Sequence, residues 1–519
     1  MLIHEPSHSL LLRVRDPFAV RELIPHSKTL DHARFNLQVE HTEETAQLLR
    51  NLGVNAPSPI ATYYDWPGKH DPYEHQKAMA EFMATHFRCF NLSEMGTMKT
   101  AATLWAADYL MHEGLLQRVL ILSTLSTMKS IWLQEIFDVL MHRQCVIVHG
   151  TREKRHEALA MDKDFYILNH DGVSIQEVAR AARRRKDIGL IVVDEGAVFR
   201  NSRVDRYRDL VNMIRPDQRV WWLTGAPCPN APSDAWPQCR IVNPTLVPEH
   251  FGVFKRKTMM QLSAFKWEAR RGSEQMVFEA MQPAIRFLKK DVIDLPPVIT
   301  IPFHAQLTKE QCDAFNEMRR RMQTEAEEQQ ITAVNAADKL GKLRQILCGA
   351  IKDPQSDKYL IYPHGPRVEV LKEVIDNASA KVIVIVPFKG ITYALEKELK
   401  RTYTVVVVNG DVPLRQRDRV FHAFKKQADP HILLCHPKVM AHGLNLTEAD
   451  TMAFYAPIFS NDEYQQVIER FNRAGQTLKM TIARIGAHPL EWAIYQAVDT
   501  RAKAQDTILA LYNDVIGRT

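Results

Sequence analysis

The stretch Asn91-Leu-Ser-Glu-Met-Gly-Thr-Met-Lys-Thr100 constrains this chain more than any other. It leaves a short polar-apolar run and opens the apolar helix Ala101-Ala-Thr-Leu-Trp-Ala-Ala-Asp-Tyr-Leu110. A tight turn into a helix N-terminus offers unpaired backbone N–H groups and the positive end of the helix dipole, which together favour a polyphosphate. Glu94, Met95, Gly96, Thr97 and Met98 would wrap such a group. Lys99 reaches its terminal phosphates, and the Thr100 hydroxyl suits Mg²⁺. Short Gly-Thr-Lys patterns also arise by chance, and the usual second glycine is here Met98, so the surrounding pattern has to decide.

That pattern is strand alternating with helix. Arg118–Ser123, Cys145–His149, Phe165–Leu168, Ile188–Val193 and Arg219–Leu223 read as buried strands with helices between them, the signature of a doubly wound parallel sheet. The fourth strand delivers Asp194 and Glu195 at its C-terminal end. Two adjacent acids also make an ordinary turn. Beside a Lys99 loop on the same sheet they make a metal ligand (Asp194) and a group that orients or deprotonates water (Glu195). The fifth strand ends in Thr224-Gly225, either a strand-ending turn or a coupling element. Thr124, Ser126, Thr127, Lys129 and Trp132 follow the first strand, and hydroxyls with a lysine there suit a nucleic-acid backbone. Asn169-His170 follows the third. Upstream, Gln76 with Tyr63, Tyr64, Trp66 and Tyr73 has the amide and rings to read a base; the same residues also make a helix cap with core aromatics. The run Arg180, Arg183, Arg184, Arg185 and Lys186 reads first as a solvated outer helix face.

A second sheet follows. Lys381–Val386, Tyr403–Val408 and His431–Cys435 are strands, the first by its β-branched run. Leu307–Glu327 and Val334–Cys348 are amphipathic helices, and Lys352–Pro366 is a polar, Pro-containing loop. Gln466, Arg470 and Arg473, at i, i+4 and i+7, fall on one face of a helix. Lys479–Ile482 and Pro489–Ala510 read as a last strand and helices. At the other end, residues 1–60 form a small unit. Its strand is Ser9–Val14, and its helix Thr42–Leu52 has Thr42 as cap and Leu48, Leu49 and Leu52 on one face. It would serve as a gripping appendage or as a lid.

Composition narrows the class. Lys and Arg total 67 against 61 Asp and Glu, so the net charge is +6, compatible with nucleic acid without requiring it. The 7 cysteines are scattered, with no CxxC pair and no zinc spacing, which points to a reduced cytosolic protein without structural metal. The first residues lack the plan of a signal peptide, and no apolar run approaches a membrane span.

The order of these elements resembles one family. Lys99-Thr100, Asp194-Glu195 and Leu223-Thr-Gly-Ala-Pro227 are similar to motifs I, II and III of superfamily-two helicase-like ATPases of the Swi/Snf type. There the first motif reads Glu-Met-Gly-x-x-Lys-Thr, as from Glu94 here. Arg200-Asn201 resembles that family's Lys-Asn ending, and Gln76 its upstream glutamine. Gly443-Leu-Asn-Leu-Thr-Glu-Ala449 resembles motif V. Gln466-Val-Ile-Glu-Arg-Phe-Asn-Arg-Ala-Gly-Gln476 resembles motif VI.

The resemblance, over about 61–510, implies two tandem RecA-like α/β lobes. Lobe 1 would span 61–295 with a helical protrusion at about 231–295. Lobe 2 would span 296–519 with a protrusion at about 305–350. It further implies ATP and Mg²⁺, bound by the Gln76, Glu94–Thr100, Asp194 and Gln466 set, with Lys99, Glu195, Arg470 and Arg473 catalytic. Thr224 and Gly225 would couple. Thr124, Lys129, Asn169, Gly443 and Thr447 would grip duplex or forked DNA without sequence preference.

The expected activity is DNA-dependent ATP hydrolysis with translocation, by a compact monomer of the cytosol of a bacterium or a phage-infected host. Replication, repair or transcription proteins are its expected partners. Alternatives are a strand-separating helicase, an ATPase that displaces RNA polymerase, and a non-hydrolysing DNA- or polymerase-binding module. Two residues depart from the family pattern: Met98 replaces a glycine, and Ala197 stands where many relatives carry histidine.

Overall fold

The computed structural model describes the chain except residues 126, 230, 263–266, 329–332, 354–357, 441–445, 474, 501–509, 513 and 516–519. It divides into two compact units, Met1–Ile293 and Asp294–Thr519.

Unit 1 begins with a small antiparallel sheet of β1 (Leu2–His4), β2 (Ser9–Leu12), β3 (Lys28–Thr29) and β4 (Leu37–Glu40), in the order β1-β2-β4-β3. The helix Glu43–Asn51 packs on it, and Leu10, Leu12, Ile24, Leu37, Val39, Ala46, Leu49 and Ala56 form a core of their own. Thr42 caps that helix through its hydroxyl, which accepts the Thr45 N–H. The expected Leu48, Leu49 and Leu52 face is corrected: Leu49 is buried, while Leu48 and Leu52 are exposed. Turning Ala46 and Leu49 to the sheet carries residues 48 and 52 outward. On the other side of the helix Glu43 accepts the Ser58 hydroxyl, and Arg50 pairs with Glu81.

The main sheet of unit 1 contains β5 (Arg88–Asn91), β6 (Arg118–Ser123), β7 (Cys145–Val148), β8 (Phe165–Asn169), β9 (Ile188–Val193) and β10 (Arg219–Leu223). Its central strands run nearly continuously apolar between their ends because both faces are covered. In β9, Ile191 and Val193 join one core while Leu190 and Val192 join the other; in β10, Val220 and Trp222 oppose Trp221 and Leu223 in the same way. After β10 comes a helical excursion that also holds a hairpin, β11 (Met259–Gln261) with β12 (Trp267–Ala269). The chain then returns as β13 (Ala284–Ile285), an edge strand parallel to β5 that the sequence did not reveal. The order is β13-β5-β10-β9-β6-β8-β7, and every pairing is parallel.

Unit 2 is a second parallel sheet, β14 (Val298–His304), β17 (Lys381–Ile385), β18 (Val405–Val408), β19 (Ile432–Cys435), β20 (Ala449–Phe454) and β21 (Met480–Gly486), ordered β14-β21-β20-β17-β19-β18. Within the region expected as a loop at 352–366, β16 (Tyr359–Ile361) instead pairs antiparallel with β15 (Ala350–Lys352), which precedes it. Its Tyr-Leu-Ile strand is exposed, so no alternation marks it in the sequence. The helices Lys309–Glu328 and Ala333–Cys348 pack together through Phe315, Met322, Leu340 and Leu343.

Candidate nucleotide site

Strand order brings the site together. In the run β5-β10-β9-β6, four C-terminal strand ends stand side by side. They carry, in turn, the phosphate loop, Thr224-Gly225, the acidic pair and the Thr124–Trp132 segment. Cross-strand bonds set their level: the Thr224 N–H donates to the Asn91 carbonyl (3.1 Å), and the Asp194 N–H to that of Leu122 (2.9 Å).

The loop after β5 turns at Gly96 (φ 83°) and enters the helix Lys99–His112 through Met98, which takes a left-handed conformation (φ 56°, ψ 39°). A glycine costs nothing there, whereas an L side chain costs about 1–2 kcal/mol. The family's glycine therefore answers a backbone requirement that Met98 meets under strain. The Lys99 ammonium is folded over the loop, donating to the carbonyls of Ser93 (2.6 Å) and Glu94 (2.9 Å). Thr97 is buried, its hydroxyl on the Glu94 carbonyl, and Thr100 is half-buried in the first helical turn.

Gln76 is buried and acts as a cap and a brace. Its Oε1 accepts the Tyr73 N–H, and its Nε2 donates to the Met98 carbonyl (3.3 Å). His75 Nε2 lies 3.1 Å from the Thr97 carbonyl. The Glu94 carboxylate accepts the Lys289 N–H (2.9 Å). Two further bonds tie the loop to the segment after β13, from Phe287 N–H to Ser93 Oγ and from Glu94 N–H to the Phe287 carbonyl. The sequence offered no signal for this grip, because its partners are almost 200 residues apart.

Asp194 and Glu195 follow β9. Glu195 is left-handed (φ 50°). Among the described residues four that are not glycine have positive φ, and two of them are Met98 and Glu195. Such conformations persist where the surrounding structure over-determines them, and they concentrate at functional sites. One Asp194 oxygen accepts the Trp132 indole N–H (2.9 Å) and the other the Glu195 N–H (3.0 Å). Burial and the neighbouring Glu195 charge push the Asp194 carboxyl up to about 6, against the pull of Trp132 and Lys99. His170, buried at the end of β8, meets the Asp194 carbonyl through Nε2 (2.8 Å), and desolvation holds its ring down to about 4 and therefore neutral.

The turn after β10 packs against the phosphate loop. Thr224 is buried, and a β-carbon on Gly225 would sit 3.2 Å from the Met95 N and 3.4 Å from the Ser93 O. A side chain here would press on the phosphate-loop backbone and displace it by a few tenths of an ångström.

The remaining sequence candidates divide. Lys129 is exposed and Thr124 half-buried, with its hydroxyl 2.9 Å from that of Thr127. Trp132, grouped with them in the sequence, is buried and faces Asp194 instead. Asn169, expected as a DNA contact, is buried, and its Oδ1 accepts the Arg155 guanidinium (3.0 Å). In unit 2, Gly443 lies outside the described residues. Thr447 is half-buried in the turn before β20. The helix Asn461–Phe471 carries Gln466 and Arg470, but it ends before Arg473, which lies in the next turn. The single helical face expected for all three therefore holds only Gln466 and Arg470. Arg470 is buried, and its carbonyl accepts the Leu446 N–H (3.0 Å). Gln476 fastens the turn to β20 through the Ala449 carbonyl (3.0 Å).

Comparison with known proteins gives the family. A model described as the SNF2-related domain matches residues 75–352, and one described as the helicase conserved C-terminal domain matches 366–475. The putative protein p41 of Acyrthosiphon pisum secondary endosymbiont phage 1 is 23% identical over 441 residues, covering 80% of this chain and 93% of its own. The ATP-dependent DNA helicase DDM1 of Arabidopsis thaliana is 23% identical over 451 residues, covering 80% of this chain but only 58% of its own. Among solved structures, the Sulfolobus solfataricus SWI2/SNF2 ATPase core in complex with dsDNA aligns at 20% identity and a TM-score of 0.41, over 87% of this chain and 98% of that one. Matched to the first model over more than half its length, the chain belongs to the SNF2-related family, with a helicase conserved C-terminal domain in its second half.

Proposed function

We propose that this chain is an ATP-driven motor that hydrolyses ATP on duplex or forked DNA and moves along it. The observation that carries the reading is the adjacency of the β5, β10, β9 and β6 ends. One sheet edge holds a phosphate loop, an acidic pair and an exposed lysine segment. Lys99 exchanges the Ser93 and Glu94 carbonyls for the nucleotide's terminal phosphates. Thr100 and Asp194 are the Mg²⁺ ligands. Their fit is supported by Asp194 itself, an under-neutralised carboxylate that gains from a cation. When bound, Mg²⁺ neutralises the charge of the β- and γ-phosphate oxygens. Glu195 orients the attacking water and takes its proton. Arg470 and Arg473 are the transition-state cations of unit 2.

Thr124, Lys129 and Thr447 are the described backbone contacts, with Gly443 carried from the family pattern. Phosphate contacts of this kind are tolerant of sequence and weaken steeply with salt. The names of the curated relatives, an ATP-dependent DNA helicase and a DNA annealing helicase and endonuclease from mouse, support DNA as the track.

The test is ATP hydrolysis by the whole chain without nucleic acid and with single-stranded DNA, blunt duplex, forked duplex or RNA, beside Glu195→Gln and Arg473→Ala. Stimulation by duplex or fork that both variants lose is the expected result. Strongest stimulation by single strands favours strand separation. DNA binding with no turnover under any condition overturns the motor.

A further inference from the structure

Trp132 is fully buried and sits in a wide π-helical turn, Met128–Leu133, that follows β6. Turns of this type interrupt regular helices and recur at functional sites. Lys129, three residues earlier in the same turn, is exposed. One short element thus shows a cation to solvent on one side and an indole to the acidic pair on the other. The indole N–H donates to Asp194 Oδ2 at 2.9 Å, while the Glu195 N–H takes the other oxygen. An indole nitrogen is a donor only. It therefore holds one carboxylate oxygen as an acceptor and fixes the group's rotation.

We propose that Trp132 is a positioning residue that orients Asp194 for its cation, and that the turn it shares with Lys129 carries nucleic-acid contact to that carboxylate. The idea rests on the motor reading given above. Partners of metal-binding carboxylates set ligand orientation, and their loss costs about 10–100-fold in metal affinity or activity. Ala197 adds weight, because a histidine at that position is absent here as an alternative link. Of the two strand-end loops that hold Asp194, that of β8 reaches only its main-chain carbonyl, through His170. The β6 loop hydrogen-bonds the carboxylate itself through Trp132, and the β5 loop acts on it through the Lys99 charge.

The experiment uses the full chain and a fluorescent, non-hydrolysable ATP analogue. Binding is titrated with Mg²⁺, with and without saturating blunt duplex, and each protein is read against its own Mg²⁺-free affinity. In the wild type, duplex lowers the Mg²⁺ midpoint by about fivefold or more. In Trp132→Phe, which keeps the ring and loses the donor, the midpoint rises by about tenfold, the duplex effect vanishes, and DNA-stimulated hydrolysis falls by about the same factor. Thermal melting confirms the fold. Should Trp132→Phe not fold, exposed Lys129→Ala carries the test, and it abolishes the duplex effect on the midpoint. An unchanged midpoint in folded Trp132→Phe, or no duplex effect in the wild type, overturns the proposal. Duplex-stimulated hydrolysis that persists alongside either result leaves the motor standing and removes only this link. Failure of the wild type to hydrolyse ATP on any DNA overturns the motor reading itself.

Discussion

The backbone of Gly196 lies directly against the indole of Trp222: a β-carbon there would sit 2.0 Å from Nε1. The indole cannot yield, because its N–H is fixed on Gln238 Oε1 (2.9 Å), and Gln238 is itself bonded to the Pro227 and Asp234 carbonyls. Gly196 follows Glu195, so the acidic pair is seated on a rigid aromatic floor. Gly196→Ala must displace one or the other. We expect a loss of about 1–3 kcal/mol or more in stability, from overpacking, together with loss of hydrolysis. Thermal melting and ATP turnover measure both. Trp222→Leu, which opens the space, should make Gly196→Ala less costly than in the wild type, and strict additivity would contradict the contact.

Gly225 plays the corresponding part for the phosphate loop, with the Met95 nitrogen 3.2 Å from the position of its missing β-carbon. Gly225→Val should push the loop aside without replacing any of its own side chains. Nucleotide affinity is expected to fall by about tenfold, since small displacements of binding groups are costly. Equilibrium binding of a fluorescent nucleotide reads this directly, and wild-type affinity would show that the loop accommodates the branch.

In unit 2, Arg367 and Glu491 are both fully buried and bonded at 2.6 Å and 3.2 Å. The guanidinium also serves the carbonyls of Tyr455, Leu347 and Ile485, and the Glu491 charge holds it protonated against burial. Arg367→Met strands a buried carboxylate and should cost about 3–5 kcal/mol. The double variant Arg367→Met/Glu491→Leu should recover part of that loss, although three carbonyls stay without their donor. Denaturant unfolding of the wild type, Arg367→Met, Glu491→Leu and the double variant tests it, and a double variant worse than the sum of the two singles would refute the pairing.

Within the N-terminal sheet region, His41 is buried, with Nε2 on the Pro57 carbonyl (2.9 Å) and Nδ1 near the Tyr63 hydroxyl (3.2 Å). Desolvation lowers its pKa from the ordinary 6.5. The unfolded chain therefore takes up the proton first. Stability from this group is complete above pH 6.5 and is lost as the pH falls below it toward the depressed value. Limited proteolysis of residues 1–60 should accelerate between about pH 7.5 and pH 5.5 in the wild type. His41→Phe should flatten that step. An equal acceleration in the variant would assign it to another group.

Much of the architecture was legible because hydrophobic period is a local property. Runs such as Leu190–Val193 and Val382–Ile385 are apolar at every position, and a strand with both faces covered needs that. The excursion after β10 was legible only in part: β13 is two residues long and carries no pattern, so its place beside β5 was invisible. The exposed β16 hairpin escaped for the same reason. Arg473 was misplaced because a periodicity argument carries no stop signal, and the chain leaves the helix at Phe471 without a glycine or proline.

The sequence by itself determined the two parallel α/β sheets, the departure from glycine at Met98, and the family membership written in the order of its motifs. Which strand ends became neighbours was decided only by tertiary structure. The β5-β10-β9-β6 order places residues more than 100 positions apart within one hydrogen bond of each other. It set Trp132 on Asp194, buried Asn169 under Arg155, and closed Phe287 and Lys289 over the phosphate loop. The reason is physical: propensity and period act over one turn or one strand, while strand partners are chosen by burial of whole faces, which no local stretch encodes.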